Sequence, residues 1–162
     1  MDEPHGGKLF LVFIAGYLGV YYALLWTGVT LFSHDLEASW VLLGPQAIKA
    51  KASLVSAPVV GAFFGSWTAS VLVMSYTARG SHKLGASRFF GIGWFSVLVC
   101  NMLTISMALR LFVDEMPGRA WIEFLGRTRF NGWLFLLTPS LGYAGGVAAV
   151  ILTGHIIEAQ RG

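Results

Sequence analysis

Residues 9–33 read LFLVFIAGYLGVYYALLWTGVTLFS, a run of 25 residues without a charged side chain. An α-helix needs about 20 apolar residues to cross a hydrocarbon core of about 30 Å. The run does not alternate apolar and polar residues, as the strands of a membrane β-barrel do. Because every backbone polar group in hydrocarbon must find a partner within the protein, the run predicts one transmembrane helix.

Three further charge-free runs follow, at residues 52–78, 89–109 and 130–157. Each is long enough for one crossing and too short for two. We therefore predict an all-α integral membrane protein, with one four-helix transmembrane bundle over residues 1–162. The predicted spans are residues 9–33, 53–78, 89–110 and 131–157.

The composition excludes several other classes of protein. The 162 residues are 56% hydrophobic and 12% charged, whereas soluble domains carry about 25% charged residues. Disordered chains need low hydrophobicity and high net charge. A net charge of +3 is too small and too scattered to indicate nucleic acid as a partner. The single cysteine excludes a disulfide framework and a cysteine-rich metal site.

Four crossings place both termini and the loop from Arg79 to Arg88 on one face of the membrane, which we call the terminal face. The loops around residues 34–52 and 110–129 lie on the opposite side, the far face. Lysines and arginines number five on the terminal face and six on the far face, so the positive-inside rule barely separates them. The purely cationic loop and the fewer acids favour a cytoplasmic terminal face, in a membrane of the bacterial inner-membrane type.

Two far-face segments, residues 36–52 and 117–130, mix tryptophan and aliphatic residues with cations. Such segments tend to lie in the headgroup plane, so we predict short interfacial helices in the first and third loops. They would either bind a lipid or protein partner or simply pack against the interface. Tryptophans near the ends of the runs are typical of anchoring in the same layer: Trp26, Trp94 and Trp133.

The second and fourth runs share the pattern Pro-x2-Gly-x3-Gly at an offset of 81 residues, from Pro58 to Pro139. This indicates either two tandem helix-hairpin repeats or a coincidence, because the other aligned positions mostly differ. The prolines would start their helices or kink them mildly. Small residues let helices approach closely in lipid, which predicts helix packing, within the chain or in a homo-oligomer, at Gly61, Gly65, Gly142 and Gly146.

The third run carries the most polar stripe, with Asn101 and Thr104 at helical spacing. A buried amide in lipid needs partners, so these residues predict either interhelical hydrogen bonds or contact with a cofactor such as a quinone or pigment. His155 is a candidate haem ligand near the end of the fourth run. No motif supports a particular cofactor, and we predict no metal site and no catalytic residue.

No run contains Asp, Glu, Lys or Arg in its interior, which argues against a proton-coupled transporter with a carboxylate at mid-span. The far face combines acids, bases and a histidine in one interfacial cluster: His34, Arg110, Glu115, Arg127 and Arg129.

Three functions are consistent with these features. The first, which we favour, is a non-catalytic membrane subunit of a larger redox, pigment or transport complex. Its partners would be membrane lipids and other membrane subunits or further copies of the chain. The second is a small oligomeric channel or transporter. The residues that would line this channel or transporter are Ser66, Thr68, Ser70, Asn101, Thr104 and Ser140. The third function is that of an enzyme that acts on a lipid or lipophile at the bilayer interface.

Overall fold

The computed structural model describes residues 5–79, 86–112 and 129–161 of the chain. Nearly all of these residues are helical and none of them lies in a β-strand, so the all-α prediction is confirmed. In chain order the elements are α1 (His5–Leu31), α2 (Ser33–Leu43), α3 (Gln46–Arg79), α4 (Ala86–Phe112), α5 (Phe130–Gly132), a π-helical segment (Trp133–Leu137) and α6 (Thr138–Arg161).

Four helical stretches are long and apolar enough to cross a membrane. The fold is therefore that of a multi-pass membrane protein, as predicted. The second stretch begins before residue 53, because α3 continues through Lys49 and Lys51, whose long side chains can carry their charge toward water. Charge-free runs thus locate the spans but not the helix ends. The stretches are Gly7–Leu31, Gln46–Val71, Ser87–Ala108 and Trp133–Gln160.

The first far-face connection contains α2, which follows α1 after the single residue Phe32. Gly44 caps the C-terminus of α2, and its φ of 53° lies in the left-handed region that glycine adopts without steric cost. The Gly44 N–H donates to the carbonyls of Trp40 and Val41, both at 3.2 Å. Pro45 follows and α3 begins at once, so the chain reverses over a very short turn. The helix predicted within residues 117–130 of the third loop falls almost entirely outside the described residues.

The four spans are arranged as two closely packed antiparallel pairs. α3 packs most extensively against α4, and α1 against α6, while the α1–α3 and α4–α6 contacts are smaller. This pairing places the spans around a ring in the order α1, α6, α4, α3.

All four glycines that the sequence marks for packing lie within these pairs. A Cβ built on Gly65 would lie 2.7 Å from the Cα of Val97, and one on Gly61 would lie 2.9 Å from the Cα of Asn101. In the other pair Gly142 lies against Tyr17, and Gly146 lies against Phe13. An added Cβ would collide with the backbone of α4 at Gly61 and Gly65 and with Phe13 at Gly146. At Gly142 it would require only a smaller shift of Tyr17.

The two prolines are placed differently: Pro58 lies well inside α3, whereas Pro139 is the second residue of α6. Pro58 is buried within α3. The Tyr22 hydroxyl donates to the Val55 carbonyl, one turn before the proline, where a proline disturbs the helical ladder. Pro139 lies two residues after the end of the π-helical segment. The intervening residue, Thr138, donates both its N–H and its hydroxyl to the Trp133 carbonyl. Widening the helix there accommodates the missing proline N–H.

Two of the tryptophans expected as interfacial anchors also connect helices. The Trp133 indole N–H donates to the Leu24 carbonyl at 2.8 Å, linking the last span to α1. The Trp94 indole N–H donates to the Ser140 hydroxyl at 2.9 Å, linking α4 to α6. Trp26, in contrast, is 77% exposed, as an anchor in the bilayer would be.

Candidate ligand site between the four spans

A cavity of about 520 Å³ lies between the four spans at the terminal-face end of the bundle. Every span contributes to its wall: Phe10 and Phe13 from α1, Ser66 and Ser70 from α3, Phe89, Phe90 and Val97 from α4, and Tyr143, Val147 and Ile151 from α6. No charged residue is among the described residues that line it. Its size and its mostly apolar wall are those of sites for small lipophilic molecules.

Aromatic rings form much of this wall. Phe13 meets Tyr143 edge to face, with ring centroids 5.7 Å apart. Gly93 of α4 lies directly against the Tyr143 hydroxyl, where any side chain would collide with it. Phe89 and Phe90 are also edge to face, at 5.6 Å. The rings of the wall are thus packed against one another or against a neighbouring helix.

Ser66 supplies a free polar group at the cavity wall. Its hydroxyl is buried and has no hydrogen-bond partner within the described part of the chain. Its carbonyl accepts the Ser70 hydroxyl at 2.9 Å, so Ser70 is satisfied by its own helix. A buried polar group left without a partner costs about 1–3 kcal/mol, and a ligand or a water molecule in the cavity would remove that cost.

One helical turn deeper lies a cluster of three buried polar side chains, Tyr17, Tyr21 and Asn101. Each of the three is fully buried. Both side-chain atoms of Asn101 and both tyrosine hydroxyls lack a hydrogen-bond partner among the residues that the structure describes. Tyr17 and Tyr21 lie side by side on α1, with ring centroids 5.7 Å apart, and the Tyr21 hydroxyl lies near the Asn101 amide.

The position of this cluster below the cavity follows from helical spacing. Tyr17 is one turn from Phe13 on α1, and Asn101 is one turn from Val97 on α4, and both Phe13 and Val97 line the cavity. Gly61 leaves the space that the Asn101 side chain occupies, because a Cβ there would lie 3.2 Å from its Oδ1. The four unpaired polar atoms therefore lie at mid-span, where burial without a partner is most costly.

The other predicted cofactor contacts are placed differently. The Thr104 hydroxyl donates within α4, to the Cys100 carbonyl at 2.8 Å and the Asn101 carbonyl at 3.1 Å. The His155 side chain is 73% exposed and lies 3.8 Å from the Glu158 carboxylate, so the structure does not bring it together with Asn101. A role for His155 in cofactor binding stays a prediction.

The predicted far-face cluster can be described only in part. His34 and Arg129 are exposed, and the backbone of Arg110 belongs to α4. Glu115 and Arg127 lie outside the described residues. Within the described part of the chain, no group of three or more histidine, cysteine or acidic side chains is placed to hold a metal ion.

Tyr17 and Tyr21 were not predicted as candidate site residues. Their spacing of four residues in the middle of the first run was the available signal, since it puts two hydroxyls on one face of the helix. Asn101 was found because an amide within a span is conspicuous by itself.

The fold and the site together define an all-helical, multi-pass membrane protein with a cavity between its spans. No family model matches the chain, and comparisons with curated proteins and with solved structures found no match.

Proposed function

We propose that the chain is a non-catalytic membrane subunit that holds a lipophilic, hydrogen-bonding molecule between its four spans. The observation that carries this proposal is the apolar cavity with a cluster of unpaired polar atoms one turn beyond it. A ligand with an apolar body and a carbonyl group, such as a quinone, has both complementary parts. Its body would contact the aromatic wall, and its carbonyl would accept from the Ser66 hydroxyl or, after a small rearrangement, from the Asn101 amide.

The uncharged wall of the cavity favours holding a ligand over transforming it. Acid–base catalysis requires titratable groups placed at the reacting atoms, and the described lining residues offer only hydroxyls, rings and aliphatic groups. Membership of a larger complex is the second half of the proposal. It is consistent with how little of the chain lies outside the spans.

We further propose that the two halves of the chain are tandem repeats related by a pseudo-twofold axis along the membrane normal. The α3–α4 pair corresponds to the α6–α1 pair, and the glycine contacts correspond as well: Gly61 on Asn101 to Gly142 on Tyr17, and Gly65 on Val97 to Gly146 on Phe13.

The cavity supports the same relation. Three lining residues of α3 and three of α6 are separated by the same offset as the two prolines, namely Ser66, Ala69 and Ser70, with Val147, Val150 and Ile151. The axis would pass through the cavity, and Tyr17 and Asn101 would occupy equivalent positions on its two sides.

A small-solute transporter is the second candidate function, because parallel repeats with a central site are a known transporter architecture. Flux of small solutes into proteoliposomes tests it. Uptake that depends on the protein and falls in Asn101→Leu supports transport, and uptake equal to that of empty liposomes contradicts it.

Ligand binding is tested on the full chain purified in mild detergent. We expect organic extraction to release a lipophile detectable by mass spectrometry, and an added short-chain quinone to quench tryptophan fluorescence saturably. Ser66→Val should weaken that quenching, because the added methyl groups occupy the cavity and the hydroxyl is lost. Ser56→Val is the matched control, since Ser56 is exposed on the same helix and its hydroxyl donates to the Ala52 carbonyl.

The two halves of the proposal fail separately. An empty extract together with quenching that does not saturate, or that is equal in Ser66→Val and Ser56→Val, contradicts ligand binding. A protein that runs alone at its own mass after gentle solubilisation contradicts membership of a complex, whatever the result for the ligand.

A further inference from the structure

A second groove, of about 520 Å³, lies at the far-face end of the bundle between α1, α2 and α3. Three helical stripes form it, each with the spacing of one helix face. The first is Tyr22, Leu25, Trp26 and Val29 from α1. The second is Ser33, Leu36, Glu37 and Trp40 from α2. The third is Lys51, Leu54 and Val55 from α3.

The groove has an apolar floor. Leu25, Leu36 and Leu54 are buried. The Tyr22 hydroxyl is already satisfied by the Val55 carbonyl of α3, so Tyr22 closes the wall between α1 and α3 rather than offering a free polar group. The upper wall includes Trp26, which is largely exposed and placed to contact acyl chains.

One positive and one negative side chain line the groove at its α2 side. The Lys51 ammonium lies 5.2 Å from the centroid of the Trp40 ring, which holds the cation beside the groove. Glu37 lies one turn before Trp40 on α2, on the same face. The lining therefore carries no net charge, and its two charges match a headgroup that is itself a zwitterion.

We propose that this groove binds a phospholipid whose headgroup contains a phosphate and a primary amine, as phosphatidylethanolamine does. Lys51 contacts the phosphate, Glu37 accepts hydrogen bonds from the ammonium, and an acyl chain runs along Leu25, Leu54 and Val55. A primary ammonium donates hydrogen bonds to the carboxylate, which the quaternary ammonium of phosphatidylcholine cannot do. The site is separate from the central cavity, and its occupancy does not depend on the function proposed above.

The experiment measures lipid binding to the detergent-purified full chain by native mass spectrometry, with phosphatidylethanolamine and phosphatidylcholine of identical acyl chains. We expect phosphatidylethanolamine to bind about fivefold more tightly, which corresponds to about 1 kcal/mol for an exposed charge pair. Lys51→Gln should weaken the binding of both lipids about fivefold, and Lys51→Arg should bind both as tightly as the unchanged protein does. Glu37→Gln should abolish the preference between the two lipids.

Controls of the same chemistry are available at the other end of the bundle. Lys8 and Glu158 are exposed near the terminal face, so Lys8→Gln and Glu158→Gln make the same charge changes away from the groove. Neither control should alter the affinity for either lipid. Val29→Trp fills the groove without altering a charge, and should weaken both lipids equally.

Three results would overturn the proposal. The first is equal binding of the two lipids by the unchanged protein. The second is an effect of Lys51→Gln or Glu37→Gln no larger than that of its control. The third is displacement of the lipid by water-soluble glycerophosphoethanolamine at comparable concentration, because the groove would then bind a free headgroup and the acyl chains would contribute nothing.

Discussion

The indole of Trp133 lies against Gly28 and donates its hydrogen bond to the backbone of α1. A Cβ on Gly28 would lie 2.5 Å from the nearest atoms of that indole. The Trp133 indole of the last span fits against α1 only because Gly28 has no side chain. The hydrogen bond from the indole to the Leu24 carbonyl depends on that fit.

Gly28→Ala should therefore lower the free energy of unfolding by about 1–3 kcal/mol, through overpacking and the displaced hydrogen bond. Unfolding in mixed detergent, followed by circular dichroism, measures it. Gly19→Ala on the same helix is the control, because a Cβ there meets nothing within 4 Å. Equal effects of the two changes would show that the contact contributes nothing.

Gly65→Ala should destabilise the protein more than Gly28→Ala. The added Cβ would collide with the Cα of Val97. A backbone atom cannot relieve the collision by a change of rotamer, whereas a side chain can. Gly91→Ala, on α4 with open space around it, should be silent in the same unfolding assay.

Gly146→Ala tests the proposed repeat, because Gly146 corresponds to Gly65. Its Cβ would lie 2.9 Å from the Phe13 carbonyl oxygen and 2.7 Å from the Phe13 ring. We expect a loss of stability similar to that of Gly65→Ala. A loss as small as that of Gly91→Ala would contradict the correspondence of the two helix pairs.

Asn101→Leu should leave the free energy of unfolding unchanged, or raise it by about 1 kcal/mol, in protein stripped of ligand. The substitution keeps the number and branching of the side-chain heavy atoms and removes two polar atoms that have no partner within the described residues. The same change should abolish ligand binding or weaken it. A loss of stability above about 1 kcal/mol would show instead that the amide holds the helices together.

Thr138→Val should lower the free energy of unfolding by about 0.5–1.5 kcal/mol. The reason is that the fully buried Thr138 hydroxyl donates to the Trp133 carbonyl at 2.7 Å across the π-helical segment. The comparison variant is Thr153→Val, whose hydroxyl donates to Ala149 in ordinary α-helix. If Thr153→Val costs as much, the bond in the π-helical segment has no special role.

The spans were predictable because placing a charge in hydrocarbon is so costly that nineteen charged residues leave four clear gaps. The glycine positions were predictable for a related reason, since close helix packing in lipid requires small residues. The helix against which each span packs was not predictable. All four runs are similarly apolar, and nothing in their patterns distinguishes one neighbour from another.

The site was predictable only where a single residue type is unusual within a span. Asn101 met that condition, but Tyr17 and Tyr21 resemble the many aromatic residues that serve as packing or anchors. The roles of Trp94 and Trp133 as hydrogen-bond donors between helices depend on which carbonyl lies opposite, which is a property of the assembled bundle.

The ring order of the spans has a consequence for biogenesis. α1 leaves the ribosome well before α6, its main packing partner, whereas α3 and α4 are neighbours in sequence that pack against each other as a hairpin. During synthesis the face of α1 that packs against α6 therefore stays exposed to lipid until α6 has been inserted. Quality-control proteases could use that exposed face to distinguish a chain that stopped early from a finished one.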